Sequence, residues 1–113
     1  MAYRYTAILV IGNLQVPYLL NAMKGTDFES PEQTAKGDFT LLEWKDLRGW
    51  PCYDDPRAEE AFNDLFNTGD DIDFAMFGDE PEDCRHFASG IFVTHPALVI
   101  SEEDGWPAYR ITI

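Results

Sequence analysis

The apolar run from Ala7 to Ile11 constrains the fold of this 113-residue chain more than any other segment. The stretch from Tyr3 to Ile11 begins with alternating polar and apolar residues and ends apolar on both faces. A strand shows this pattern when it is covered on both sides, whereas a strand with one wet face alternates throughout. The sequence therefore predicts a central strand of a sheet near the start of the chain.

A helix is predicted next, with Asn13 as its N-cap, Lys24 as its last residue and Gly25 just beyond its end. Its buried side is expected to consist of apolar residues at helical spacing, namely Leu14, Tyr18, Leu19, Ala22 and Met23. Residues 26–37 contain few apolar side chains, which favours a surface loop. A second strand is predicted from Phe39 to Trp44.

The signals for the second helix are Asp55 as N-cap, Pro56 at the first helical position and Gly69 beyond the end. An apolar stripe at helical spacing comprises Ala58, Ala61, Phe62, Leu65 and Phe66. We expect this stripe to pack inward, so that Glu60, Asp64 and part of Glu59 remain exposed.

The segment from Asp71 to Phe77 alternates in polarity, which predicts a half-buried strand with Asp71 and Asp73 on the outer face. The remaining residues predict a β-meander, with strands at 90–94, 97–101 and 106–113 and with Pro107 on an edge. These elements predict a single domain over residues 1–113. The predicted class is α+β, an antiparallel-rich sheet of about five to six strands with two helices packed on it and a C-terminal β-meander.

The negative charge is concentrated in residues 54–83. The chain has a formal net charge of −13, and this window holds twelve carboxylates and a single cation, Arg57. Carboxylates three or four residues apart on a helix have Cβ atoms about 5–6 Å apart, and those two apart on a strand are separated by roughly 6.6 Å. These spacings are similar to those of successive phosphates on a nucleic-acid strand.

The cysteines, histidines and acids give no catalytic or metal-binding pattern. Asp71-x-Asp73 begins like a calcium loop, but Ala75 and Met76 interrupt it. Two cysteines and two histidines could supply a zinc site, namely Cys52, Cys84, His86 and His95, but their spacing is not that of a zinc finger or ribbon. We expect reduced thiols, no metal, no cofactor and no enzymatic activity, and a small metal-dependent hydrolase remains a weaker alternative.

Localisation and partner class are predicted from length and charge. The apolar run breaks at Gly12-Asn13 and is too short for a signal or membrane segment, so a soluble, cytoplasmic protein without a membrane partner is expected. Direct nucleic-acid binding requires a basic patch, which is the reverse of this composition. An acidic face mounted on a folded domain instead favours a basic partner protein, although a merely solvated face is the simplest interpretation.

In size, acidity and lack of enzymatic motifs, the chain resembles small virus-encoded inhibitors of host defence, the anti-CRISPR and anti-restriction proteins. The resemblance rests on composition, assigns no residue, and implies an inhibitor that occupies a basic nucleic-acid-binding protein or complex. An immunity or antitoxin-like partner of a basic toxin is the alternative. The candidate partner-binding residues are Glu59, Glu60, Asp64, Asp70, Asp71, Asp73, Asp79 and Glu80. Trp50 and Tyr53 are added as aromatic anchors, although covering the edge of the core is the simpler interpretation of both.

Overall fold

The structure is a computed structural model that describes residues 5–47, 56–78, 84–104 and 106–113. These residues form seven strands, two α-helices and two 3-10 turns. In chain order they are β1 (Tyr5–Gly12), the first 3-10 turn (Asn13–Gln15), α1 (Val16–Ala22), β2 (Glu32–Lys36), β3 (Phe39–Leu47), α2 (Pro56–Phe66), β4 (Ile72–Phe77), β5 (Arg85–Ser89), the second 3-10 turn (Gly90–Val93), β6 (Leu98–Glu103) and β7 (Trp106–Ile111).

Five strands form one antiparallel sheet in the order β2-β3-β1-β4-β5, and β6 pairs with β7 in a separate hairpin. The first strand lies in the middle of the sheet and pairs antiparallel with β3 and β4. Residues 7–11 have no exposed surface, as expected for a strand covered on both faces. The predicted central strand and the α+β class are confirmed, and the predicted C-terminal meander is a hairpin.

Alternate residues of β1 contribute to two hydrophobic cores on opposite faces of the sheet. Leu9 and Ile11 pack with the buried side chains of α1 and α2. Ile8 and Val10 pack on the other face with Phe92 and the start of β6. Burying one such aliphatic side chain stabilises the folded protein by roughly 1.5–3 kcal/mol relative to leaving it exposed. A layer that covers each face of the sheet is therefore favoured. The fold therefore has three layers, the helices, the sheet and the hairpin.

The first helix differs from the prediction. A 3-10 turn precedes α1, and the helix begins only at Val16. Val16, Leu19 and Met23 are buried and recur at helical spacing, so the opposite side of the helix faces solvent. Leu14 and Tyr18 fall on that side and are 87% and 81% exposed, whereas burial was expected. Ala22 is also exposed.

Residues 26–37, predicted as a loop, contain the edge strand β2, which pairs with β3. All residues of β2 are exposed. Because neither face of this strand is buried, its sequence lacks the alternation of polar and apolar residues that would have predicted a strand. The strand predicted at 90–94 is also wrong, because residues 90–93 form a 3-10 turn and the strand lies at Arg85–Ser89. No helix in the described part of the chain is both long and apolar enough to cross a membrane.

Candidate partner-binding surface

The second helix presents its acids to solvent as the sequence predicted. Ala58, Phe62 and Leu65 are buried, and Ala61 and Phe66 are partly buried against the same core. Glu60 and Asp64 are exposed, while Glu59 is half-buried. Since Glu60 and Asp64 are four residues apart, they lie on the same face of α2.

A groove of about 420 Å³ lies between α1 and α2 and is lined by two of the candidate acids. Asp64 and Asp70 line it together with the exposed side chain of Tyr18. Asp70 is hydrogen-bonded through its backbone and its side chain. Its N–H donates to Thr68 Oγ1 at 3.2 Å, and its carboxylate accepts from Gln15 Nε2. The position of the Asp70 carboxylate relative to α1 is therefore fixed by the fold.

A second groove, of about 490 Å³, adjoins the first and shares Asp70 and Gln15 with it. Asp38, Asp71 and Leu14 also line this groove. The described lining residues of the two grooves include no lysine, arginine or histidine. We call Asp38, Glu60, Asp64, Asp70 and Asp71 the acidic surface.

The Asp70-Asp71 pair connects this surface to the second 3-10 turn. Asp71 Oδ1 accepts the backbone N–H of Ile91 at 2.8 Å, and the carbonyl oxygen of Asp70 accepts Ser89 Oγ–H at 2.6 Å. Asp71 is consequently half-buried, although an outer-face position was expected. Ile91 and Val93 in that turn are 49% and 66% exposed. We call the exposed apolar residues Leu14, Tyr18, Ile91 and Val93 the apolar rim.

Asp73 does not belong to the surface, which corrects the prediction from strand alternation. It has no exposed surface, because the β6-β7 hairpin covers its face of β4. Its Oδ2 accepts the backbone N–H groups of Ala97 and Leu98, each at 2.9 Å, and its Oδ1 is hydrogen-bonded to His86 Nε2 at 2.6 Å. Asp73 therefore connects the sheet to the start of the hairpin.

Four predicted contact residues, Trp50, Tyr53, Asp79 and Glu80, lie outside the described residues. The same holds for Cys52, so the predicted state of the cysteine pair stays a prediction. Cys84 is half-buried, and this burial raises the pKa of its thiol, an effect that the charge of neighbouring Arg85 partly opposes. A raised pKa lowers the fraction of nucleophilic thiolate at neutral pH.

Sequence reasoning missed five residues of these grooves and their margins. Asp38 was not singled out, Leu14 and Tyr18 were assigned to the core, and Ile91 and Val93 were placed in a strand. Proline is tolerated in an α-helix only near its first turn, so Pro17 was the available signal that the helix starts later than Asn13.

The described side chains do not suggest a metal centre. Within residues 5–47, 56–78, 84–104 and 106–113, no group of three or more His, Cys, Asp or Glu side chains is placed to hold a metal ion. The arrangement instead provides fixed negative charges beside exposed apolar side chains, which is suited to binding a cationic surface.

Comparisons with protein-family models, with curated protein sequences and with solved structures found no match to this chain.

Proposed function

We propose that this protein is an acidic protein-binding inhibitor that occupies a basic nucleic-acid-binding surface of a partner protein or complex. The observation that carries the proposal is the placement of Asp64, Asp70 and Asp71 along two adjoining grooves whose described lining contains no cationic side chain. A partner surface rich in Lys and Arg would neutralise this row of carboxylates, and nucleic acid would then be excluded from that surface.

Two features of the acidic surface support binding over a role in solubility alone. First, hydrogen bonds hold both carboxylates of the pair, because Asp70 accepts from Gln15 Nε2 and Asp71 accepts the backbone N–H of Ile91. Second, Glu60 and Asp64 repel each other at helical spacing, which costs a few tenths of a kcal/mol in the isolated protein. A cationic partner removes this repulsion, and long-range attraction raises the association rate.

The exposed side chains of Leu14 and Tyr18 favour a second candidate, an immunity-like protein directed at one basic toxin. A mimic of a phosphate backbone needs only correctly spaced charges, whereas Leu14 is 87% exposed beside them. Apolar contacts demand a matching shape on the partner, and this restricts the number of partners.

A displacement assay tests the proposal and separates the two candidates. Labelled duplex DNA or RNA is bound to each member of a panel of purified, mutually unrelated nucleic-acid-binding proteins, and the 113-residue acidic protein is titrated in. A nucleic-acid mimic displaces the probe from several members, and excess unlabelled polynucleotide reverses the effect. Displacement from a single member indicates the immunity-like role, and displacement from none contradicts the proposal.

A further inference from the structure

The end of the sheet at which β1 finishes and β4 begins carries an unusual amount of exposed apolar surface. The register pairs Gly12 with Phe39 and Ile72 with Ser89, so both 3-10 turns leave the sheet at this end. Six large hydrophobic residues are exposed in the described part of the chain. The four of the apolar rim lie in these two 3-10 turns or, for Tyr18, in the helix that follows the first turn. A monomeric protein usually exposes such side chains singly, and a group of them indicates an interaction site.

Hydrogen bonds and shared grooves place Leu14, Tyr18 and Ile91 beside the Asp70-Asp71 pair. Gln15, which follows Leu14, donates to Asp70, and Ile91 donates its backbone N–H to Asp71. Tyr18 lines the same groove as Asp70. Negative charge and exposed apolar surface are therefore interleaved at this end of the molecule rather than separated.

We propose that this end of the molecule docks a segment of a partner protein in which cationic and apolar side chains alternate. The inference rests on the proposed function and specifies the chemistry of the partner. Lysine or arginine side chains complement Asp64 and Asp70, while aliphatic side chains cover Leu14 and Tyr18. Tyr18 also presents an aromatic face to which a guanidinium group is attracted.

Charge complementarity selects a protein segment over the other candidate occupants. A polynucleotide is anionic and is repelled by the acidic surface, as is the headgroup layer of an anionic membrane. A uniformly charged polycation would leave the apolar rim in water. Covering part of that rim adds a contribution that salt does not screen, which distinguishes this mode of binding from simple ion pairing.

Nuclear magnetic resonance titration of the isotopically labelled full chain provides the test. The probes are three synthetic peptides of equal length, one alternating Arg and Leu, one alternating Arg and Ser, and one alternating Glu and Leu. We expect the Arg–Leu peptide to bind about tenfold more tightly than the Arg–Ser peptide, which corresponds to about 1.4 kcal/mol. The shifted amide signals should include those of Leu14, Gln15, Tyr18 and Asp70, and the Glu–Leu peptide should not bind.

Variants at exposed positions give the matched comparison. Leu14→Ser and Tyr18→Ser should each remove most of the preference for Arg–Leu over Arg–Ser, while Ile113→Ser, at a residue 40% exposed outside the apolar rim, should keep it. Equal affinity for the two cationic peptides, or signal shifts confined to other parts of the chain, would overturn this inference and leave the acidic binding role standing. Failure of both cationic peptides to bind would contradict this inference and the proposed function together. Binding of the Glu–Leu peptide would also overturn this inference, because it would show an interface without charge selection.

Discussion

Asp73 Oδ1 is hydrogen-bonded at 2.6 Å to Nε2 of His86. The alternation of polar and apolar residues in this strand had instead predicted that Asp73 faces solvent. The other carboxylate oxygen, Oδ2, accepts the backbone N–H groups of Ala97 and Leu98. A carboxylate with no exposed surface can remain buried because all these groups bind it. Asp73 thus connects β4 to β5 and to the hairpin.

Replacing Asp73 with alanine should lower the free energy of unfolding by about 3–5 kcal/mol, because two buried N–H groups and His86 lose their partner. Asp73→Asn should cost less, since the amide oxygen still accepts the two N–H groups. Denaturant unfolding followed by circular dichroism measures both. The control is Asp64→Ala, an exposed substitution expected to stay within about 0.5 kcal/mol. A similar small effect for Asp73→Ala would show that this network does not stabilise the fold.

Gly90 is expected to resist substitution because it packs against Asp71. It has a φ of +63°, and a Cβ added there would lie 2.0 Å from Asp71 Oδ1 and 2.9 Å from Asp71 Cα. Gly37 has a similar φ of +64° with nothing within 4 Å of an added Cβ, which makes Gly37→Ala the matched control. The control should cost about 1–2 kcal/mol from backbone conformation alone.

Gly90→Ala should destabilise the protein by clearly more than this control, about 3 kcal/mol or more, because the clash involves backbone as well as a side chain. Thermal unfolding of the two variants under the same conditions measures the difference. Equal losses for Gly90→Ala and Gly37→Ala would show that Asp71 does not hinder a side chain at position 90.

The raised pKa of Tyr109 leads us to expect a loss of stability at alkaline pH. Burial raises its pKa above the ordinary value of 10.0, and the nearby carboxylate of Glu43 raises it further. The hydroxyl donates to Glu43 Oε2 at 3.4 Å. In the unfolded chain the phenol ionises at its ordinary pKa, whereas the folded protein keeps the proton, so this stabilisation is present below pH 10 and is lost as the pH rises through the folded pKa.

Wild type should therefore lose more stability than Tyr109→Phe as the pH is raised from about 9 to beyond the ordinary tyrosine pKa. The effect should be small, since Tyr109 is 36% exposed. Denaturation midpoints measured across this range for the two proteins test the expectation. Identical pH dependence would indicate that Glu43 and burial do not perturb the phenol.

The sequence correctly predicted the elements in which the spacing of apolar residues matches the side that is buried. The run from Ala7 to Ile11 specified the central strand, and the stripe through Phe62 and Leu65 specified the buried side of α2. The predicted burial of Leu14 and Tyr18 was wrong, because it assumed α-helical spacing from Asn13 onward. A 3-10 turn, which has three residues per turn, comes first, and the α-helix starts only at Val16.

Asp73 could not be placed from alternation alone, because alternation identifies which residues share a face but not whether another layer covers it. Ala75 and Phe77 share the face of Asp73 and are apolar, and this was the local sign of a covering layer. The acids of α2 were predicted correctly as exposed, but their juxtaposition with Asp38 and Asp70 depends on the tertiary fold. Charge periodicity contains no information on such long-range neighbours.

If the acidic surface binds a basic partner, as we propose, reversing the charge of two of its exposed residues should weaken that binding. The double variant Glu60→Lys/Asp64→Lys should weaken binding to any panel protein from which wild type displaces nucleic acid, since attraction is replaced by repulsion. Asp27→Lys/Glu103→Lys makes the same change in net charge at exposed residues that line neither groove. Both variants should fold as wild type does, because exposed substitutions usually change stability by less than about 0.5 kcal/mol.

The most direct measurement is the dissociation constant of such a complex from low to high salt, for wild type and both double variants. We expect wild-type affinity to fall steeply with salt and Glu60→Lys/Asp64→Lys to bind more weakly with a shallower salt dependence, while Asp27→Lys/Glu103→Lys stays close to wild type. A wild-type affinity that barely changes with salt, or a Glu60→Lys/Asp64→Lys variant that binds as well as wild type, would contradict the proposed function.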